Sequence, residues 1–164
     1  MSTIANQLVK RHEGNWKWAM GHLTTVKVTG EMTGGYFALE EKLIAPLPLK
    51  GSPLHIHERE DETFYVIEGK LVFEVEGQQI EVNAGDCLWA PRGQRHMYWN
   101  PGPEPARILV FVTPAGFERF FDEMGRPAES LTLPPTPTAP PDLNKVITTA
   151  AKYGVTIFPP QKQS

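Results

Sequence analysis

Short β-branched and aromatic runs, each broken by a turn signal after about eight to twelve residues, fill the middle of the chain. Residues 23–28 and 36–44 are two such runs, joined through Thr33-Gly34-Gly35, and read as a hairpin ending before Pro46 and Pro48. Further strands are expected at 55–57, 64–67, 71–75, 79–82, 87–90, 95–99 and 108–113. Their separators are Glu68-Gly69-Lys70, Glu76-Gly77-Gln78, Asn83-Ala84-Gly85-Asp86, Pro91-Arg92-Gly93 and Asn100-Pro101-Gly102. No β-α-β alternation competes with this pattern, so the body is all-β, an antiparallel sandwich or barrel.

The pattern changes after Pro114. Phe117, Phe120, Phe121 and Met124 recur at i, i+3, i+4 and i+7 before Gly125, which predicts a short packing helix. Asp142 is placed to N-cap a second helix through Tyr153, stopped by Gly154 and docked back on the body. Between the helices, five prolines fall within residues 133–141 and cannot continue a sheet ladder. The organisation expected is an N-terminal arm (1–20), a barrel (21–114), a packing helix (115–132), a Pro-rich linker (133–141) and a C-terminal helix and tail (142–164). The arm carries Trp16 and Trp18, which suit either a contact with a second copy or closure of the chain's own core.

A chain of 164 residues can bury one sizeable core, so one domain is expected. Its formal charge of -3, with scattered Lys and Arg, offers no basic field for nucleic acid. Cys87 is the only cysteine, which excludes an internal disulfide and reads as a small buried hydrophobe. Neither an apolar leader nor a run of the roughly 20 residues needed to span a bilayer is present. The default expectation is a cytoplasmic protein without a membrane partner.

Candidate chemistry gathers at His55, His57, Glu62 and His96. In a strand, His55 and His57 point to one face. The charged stretch Glu58-Arg59-Glu60-Asp61 interrupts that strand and can reset its phase, so Glu62 can join from the next one. The stretch itself reads as a solvated turn, with Glu60 as a candidate lip residue. His96 returns after the reversal at Pro91-Arg92-Gly93. An isolated His-x-His is ordinary in strands, but three of the chain's five histidines fall in these two segments. Burying them with a carboxylate and no metal would strand polar groups at about 1–3 kcal/mol each. Strand parity places Phe64 and Val66 with Glu62, and Tyr98 with His96, as candidate pocket walls, although core packing explains each of the three as well. His12 and His22 have no partner at ligand spacing and are read as non-functional.

These residues resemble the cupin superfamily. Its first motif is met by His55-Ile56-His57, Glu62 and Gly69, and its second by Gly85, Pro91, Gly93, His96 and Asn100. Three residues separate Gly51 from His55, where the family motif has five. Residues 33–66 are most similar to single-domain quercetin 2,3-dioxygenase-like cupins. The resemblance implies a double-stranded β-helix (jelly-roll barrel) with short C-terminal helices, paired as a homodimer. It also implies one divalent transition metal on the four ligands, and imidazole with carboxylate suits iron, manganese, nickel, copper or zinc.

Three functions follow as expectations. The first is an oxidoreductase that brings dioxygen to a flavonol-like, enediol or aromatic small molecule, with Glu62 as catalytic base. The second keeps the metal as a Lewis acid in an isomerase, decarboxylase or hydrolase of a sugar or keto acid. The third is a non-catalytic cupin that binds a small ligand.

Overall fold

Alternation of buried and open positions sets the faces of the strands. In β10 (Ala106–Thr113), Ala106, Ile108, Val110 and Val112 point inward, and in β5 (Asp61–Glu68) Glu62, Phe64 and Val66 do so. The computed structural model describes residues 8–48, 51–136 and 141–158. Within it the remaining strands are β1 (Lys17–Ala19), β2 (His22–Val28), β3 (Ala38–Ile44), β4 (His55–His57), β6 (Lys70–Val75) and β7 (Gln78–Asn83). They continue with β8 (Cys87–Ala90), β9 (His96–Trp99), β11 (Arg126–Pro127) and β12 (Val155–Ile157). A 3-10 turn at Phe117–Arg119 runs into α1 (Phe120–Met124), and α2 (Leu143–Lys152) precedes β12.

Two antiparallel sheets face each other, in the orders β11-β1-β2-β3-β10-β5-β8 and β12-β4-β9-β6-β7. Between them lies one apolar core built from residues such as Ile44, Phe64, Leu71, Phe73, Ile108 and Val110. The sandwich is the jelly roll expected of the sequence, and the hairpin of β2 and β3 forms as read.

Trp16 and Trp18 are buried in this chain's own fold. With Leu23 they form a second cluster against which Leu43 and Ala128 pack, while β1 adds to the edge of β2. The structure thus favours closure of the chain's own core over contact with another copy. Cys87 corrects its reading as a buried hydrophobe, because it is exposed. In β8 the inward positions are Leu88 and Ala90, which turns Cys87 and Trp89 outward.

The C-terminal segment docks as expected and adds a strand, Val155–Ile157, beyond those expected from the sequence. The Asp142 side chain accepts a hydrogen bond from the Lys145 backbone N–H at 3.1 Å, capping α2. Val146 and Ala150 then enter the main core. Gly154 adopts φ of 74°, and a Cβ there would lie 2.7 Å from Arg59 Nε, so glycine fits the turn on both counts. The reversal delivers β12 to β4, with Val155 opposite His57 and Ile157 opposite His55. Of the expected arm, linker and tail, residues 1–7, 137–140 and 159–164 lie outside the described residues.

Candidate metal centre

Three strands from both sheets bring the expected ligands together. β4 presents His55 and His57 on one face, with Ile56 turned away. His96 opens β9 and stands opposite His55 in register. Glu62 comes from β5 in the facing sheet, after Glu58-Arg59-Glu60 breaks the strand and restores its phase. All four residues are buried, and their candidate ligand atoms lie within 4.8 Å of one another.

The proton positions of the imidazoles follow from their neighbours. His55 Nδ1 lies 2.8 Å from the Pro53 carbonyl, and His96 Nδ1 lies 3.1 Å from the Gln94 carbonyl. His57 Nδ1 lies 3.2 Å from Glu60 Oε2. Each partner is an acceptor, so each Nδ1 carries a proton, and Nε2 is the atom each ring would turn to a metal ion. Those Nε2 atoms converge on Glu62 Oε2, at 2.9 Å from His96, 3.2 Å from His57 and 3.8 Å from His55. His57 Nε2 is buried without a hydrogen-bond partner despite that proximity. Three Nε2 atoms crowded on one carboxylate, one of them without a hydrogen-bond partner, fit a cation that all four residues would share.

Charge in the centre is strongly coupled. Burial pushes Glu62 up, but the positive charge of His57 and the close approach of the other two imidazoles outweigh it and hold its carboxyl well below the usual range. Burial likewise drives His57 down, yet the Glu62 and Glu60 carboxylates lift it to about 9. For His55, burial prevails over Glu62 and, with His96 and His57 beside it, lowers the pKa.

The ligands open on a cavity of about 290 Å³, at the small end of the range of about 300–1,000 Å³ for small-molecule sites. His55 and Glu62 form part of its wall, together with Tyr98, Ile44, Phe117, Phe120 and Phe121. Leu143, Val146 and Ala150 of α2, and Val155 and Ile157 of β12, add to a largely apolar enclosure into which Thr24, Lys42 and Ser52 also reach. Of the expected pocket residues, Tyr98 lines this cavity, while Phe64 and Val66 lie in the packed core beside it. Phe64 packs on Phe73 and Tyr98 at ring-centroid distances of 4.8 and 5.5 Å, and stands 6.1 Å from the His96 ring. His22 also reaches the cavity, and its Nδ1 accepts a hydrogen bond from Ala45 N–H at 3.0 Å. His12 remains exposed and apart.

Sequence reasoning missed three participants. Glu60 is not a solvated lip residue: it is 4 % exposed and orients His57. Only its position three residues after His57, in a segment dense with charge, signalled this. Glu40 and Lys42 were missed as well, although they share strand parity with Ala38 and Ile44 and so face the interior. Gly51, the motif position that departs in spacing, packs flat on Tyr98, where a Cβ would lie 2.1 Å from its Cε2.

A family model described as "Cupin domain" matches residues 47–112, the segment that carries all four ligands. That segment is thus similar to the cupin superfamily. The chain is 38 % identical to the quercetin 2,3-dioxygenase of Bacillus subtilis over 85 residues, 52 % of the chain and 25 % of that protein. It spans from a quarter to about half of the length of the curated relatives it matches. A crystal structure of a "predicted oxalate decarboxylase" from Thermotoga maritima is similar with a TM-score of 0.59 at 21 % identity, covering 65 % of this chain and 98 % of that one. A sugar phosphate isomerase from Silicibacter pomeroyi gives a TM-score of 0.50 at 29 % identity, covering 63 % of this chain and 67 % of the other.

Proposed function

We propose that this protein is a metal-dependent enzyme, an oxidoreductase that brings dioxygen to an enediol-bearing or aromatic small molecule. The observation that carries the reading is the set of three Nδ1-anchored imidazoles and Glu62 converging at the wall of an apolar cavity. Similarity to a quercetin 2,3-dioxygenase over half the chain supports the oxidoreductase class.

His55, His57, Glu62 and His96 would hold a divalent transition metal, which supplies open coordination positions and Lewis-acid or redox chemistry when bound. The protein's own contribution is positional. Pro53, Gln94 and Glu60 lock the ring orientations through Nδ1, so the ligand set costs little to organise. His57 is further fixed edge-on against Phe117 at 4.5 Å between centroids. Phe117, Phe120 and Phe121 offer planar faces to an aromatic substrate and keep water from the centre. Glu62 is the one carboxylate of the set and the residue placed to accept the proton of a substrate hydroxyl.

Oxygen uptake by metal-reconstituted protein supplied with quercetin, and with a smaller enediol, tests this reading. Consumption that requires the metal and disappears in Glu62→Gln, with most of the metal retained, is the expected result. Turnover unchanged in Glu62→Gln would remove the base role, and no uptake by loaded protein would refute the dioxygenase. A second reading, Lewis-acid isomerisation or decarboxylation of a sugar or keto acid, draws on the buried ammonium of Lys42 in the same cavity. It predicts conversion that proceeds equally well without oxygen.

A further inference from the structure

Lys42 enters the cavity beside the metal centre from β3. Its side chain is 7 % exposed, its Nζ lies 4.1 Å above the ring of Phe121, and it shares the cavity wall with His55 and Glu62. An ammonium is rarely enclosed in apolar surroundings, because desolvation costs it several kcal/mol of order unless a partner compensates. Here the partner is Glu40, two residues away on the same face of the strand, with Oε2 at 2.7 Å from Nζ. The contact is close but poorly directed, since both Glu40 carboxylate oxygens are buried without a hydrogen-bond donor aligned on them. Across the sheet, Lys42 is flanked by Thr24 of β2 and Ile108 of β10, neither of which carries charge. A group with three N–H donors thus has one carboxylate beside it and the cavity ahead of it.

Lys42 is the one Lys or Arg among the described residues that line the cavity, so its ammonium is the group placed to meet an anionic group on a ligand. A phosphoryl dianion carries more charge than one ammonium offsets inside apolar walls, where charge is poorly screened.

We propose that Lys42 is the anion-binding residue of this cavity and that its ligands are small organic acids carrying one carboxylate. The carboxylate oxygens pair with Nζ, and the apolar remainder lies against Phe117, Phe120 and Phe121. This inference rests on the cavity being the substrate site of the metal centre, and it narrows the substrate class there.

Calorimetric titration of zinc-loaded full-length protein with benzoate, benzamide and phenyl phosphate tests it, with zinc content measured in the same samples. The wild type is expected to bind benzoate at least about tenfold (1.4 kcal/mol) more tightly than benzamide, and more tightly than phenyl phosphate. Lys42→Met should lose that preference. The double variant Lys42→Met/Glu40→Gln removes both buried charges and provides a folded control should the single variant unfold. Loss of the preference in the double variant, with zinc content unchanged, assigns the selectivity to Lys42 rather than to the metal. A wild type without the preference, a double variant that keeps it, or tighter binding of phenyl phosphate would overturn the inference. Wild-type protein that takes up no zinc would instead refute the metal centre, and the Lys42 comparison would still be decided by the same titrations.

Discussion

Replacing Lys42 with methionine removes one member of a fully enclosed ion pair and leaves Glu40, which is 0 % exposed, with no compensating charge. Breaking a buried pair from one side costs about 3–5 kcal/mol, whereas removing both partners is often close to neutral. For a chain of 164 residues this corresponds to a fall in melting temperature of about 10 °C for Lys42→Met. Glu40→Gln in the same background should restore most of it. The cycle of wild type, two single variants and double variant, read by thermal or urea unfolding, therefore has to be strongly non-additive. Acidity supplies a second reading. Burial raises the Glu40 pKa and Lys42 opposes that rise, so without the ammonium the folded state holds the carboxyl proton more tightly still. A carboxyl whose folded pKa lies above its unfolded value of about 4.3 destabilises the fold progressively as pH climbs from there toward the raised folded value. The gap between Lys42→Met and the double variant should accordingly be small near pH 4–5 and widen toward pH 8. Additive effects, or a gap that ignores pH, would refute the reasoning that Glu40 and Lys42 act as one buried pair.

Three further changes test how the site is supported. Glu60→Gln keeps an acceptor for His57 Nδ1 but removes its charge, and metal affinity should weaken by about tenfold, the low end of such orienting contacts; wild-type affinity in a competition titration would show that Glu60 is incidental. Gly51→Ala puts a methyl 2.1 Å from the Tyr98 ring, which must turn into the cavity. Benzoate binding should fall severalfold with metal content intact, and unaltered binding would contradict the placement of Tyr98 in the wall. Asp142→Ala removes the cap of α2 at a cost of about 1 kcal/mol. Hydrogen exchange should then quicken in α2 and β12 before the rest of the barrel, and uniform exchange would contradict separate docking of this segment.

The fold and the clustering of His55, His57, Glu62 and His96 were legible because both are written in local rules. Period-two alternation and glycine-rich turns located the strands, and the parity of His55 with His57 placed two ligands on one face without knowledge of the partner strands. Glu62 was recoverable because the charged break before it could reset the phase, and the structure shows that break between β4 and β5. What escaped was set by tertiary placement. Strand β12 is only three residues long: its β-branched Val155-Thr156-Ile157 favours a strand, but its pairing with β4 depends on α2 and Gly154 returning the chain there. In β3 the residues Leu39 and Leu43 suggest an apolar face, yet Glu40 and Lys42 are the ones turned into the barrel. Half-buried Leu43 instead packs under Trp16 and Trp18 on the opposite side of the sheet, which the alternation alone could not specify. Cys87 was misread because residue type suggested burial while its register, opposite Tyr65 on the outer face, decided exposure.

The central claim is that His55, His57, Glu62 and His96 hold a metal ion. Elemental analysis of untagged protein purified without chelators, side by side with His96→Ala, tests it directly. The account predicts near-stoichiometric transition metal in the wild type and its loss from a folded His96→Ala. Wild-type protein that contains no metal and takes up none on reconstitution would contradict it.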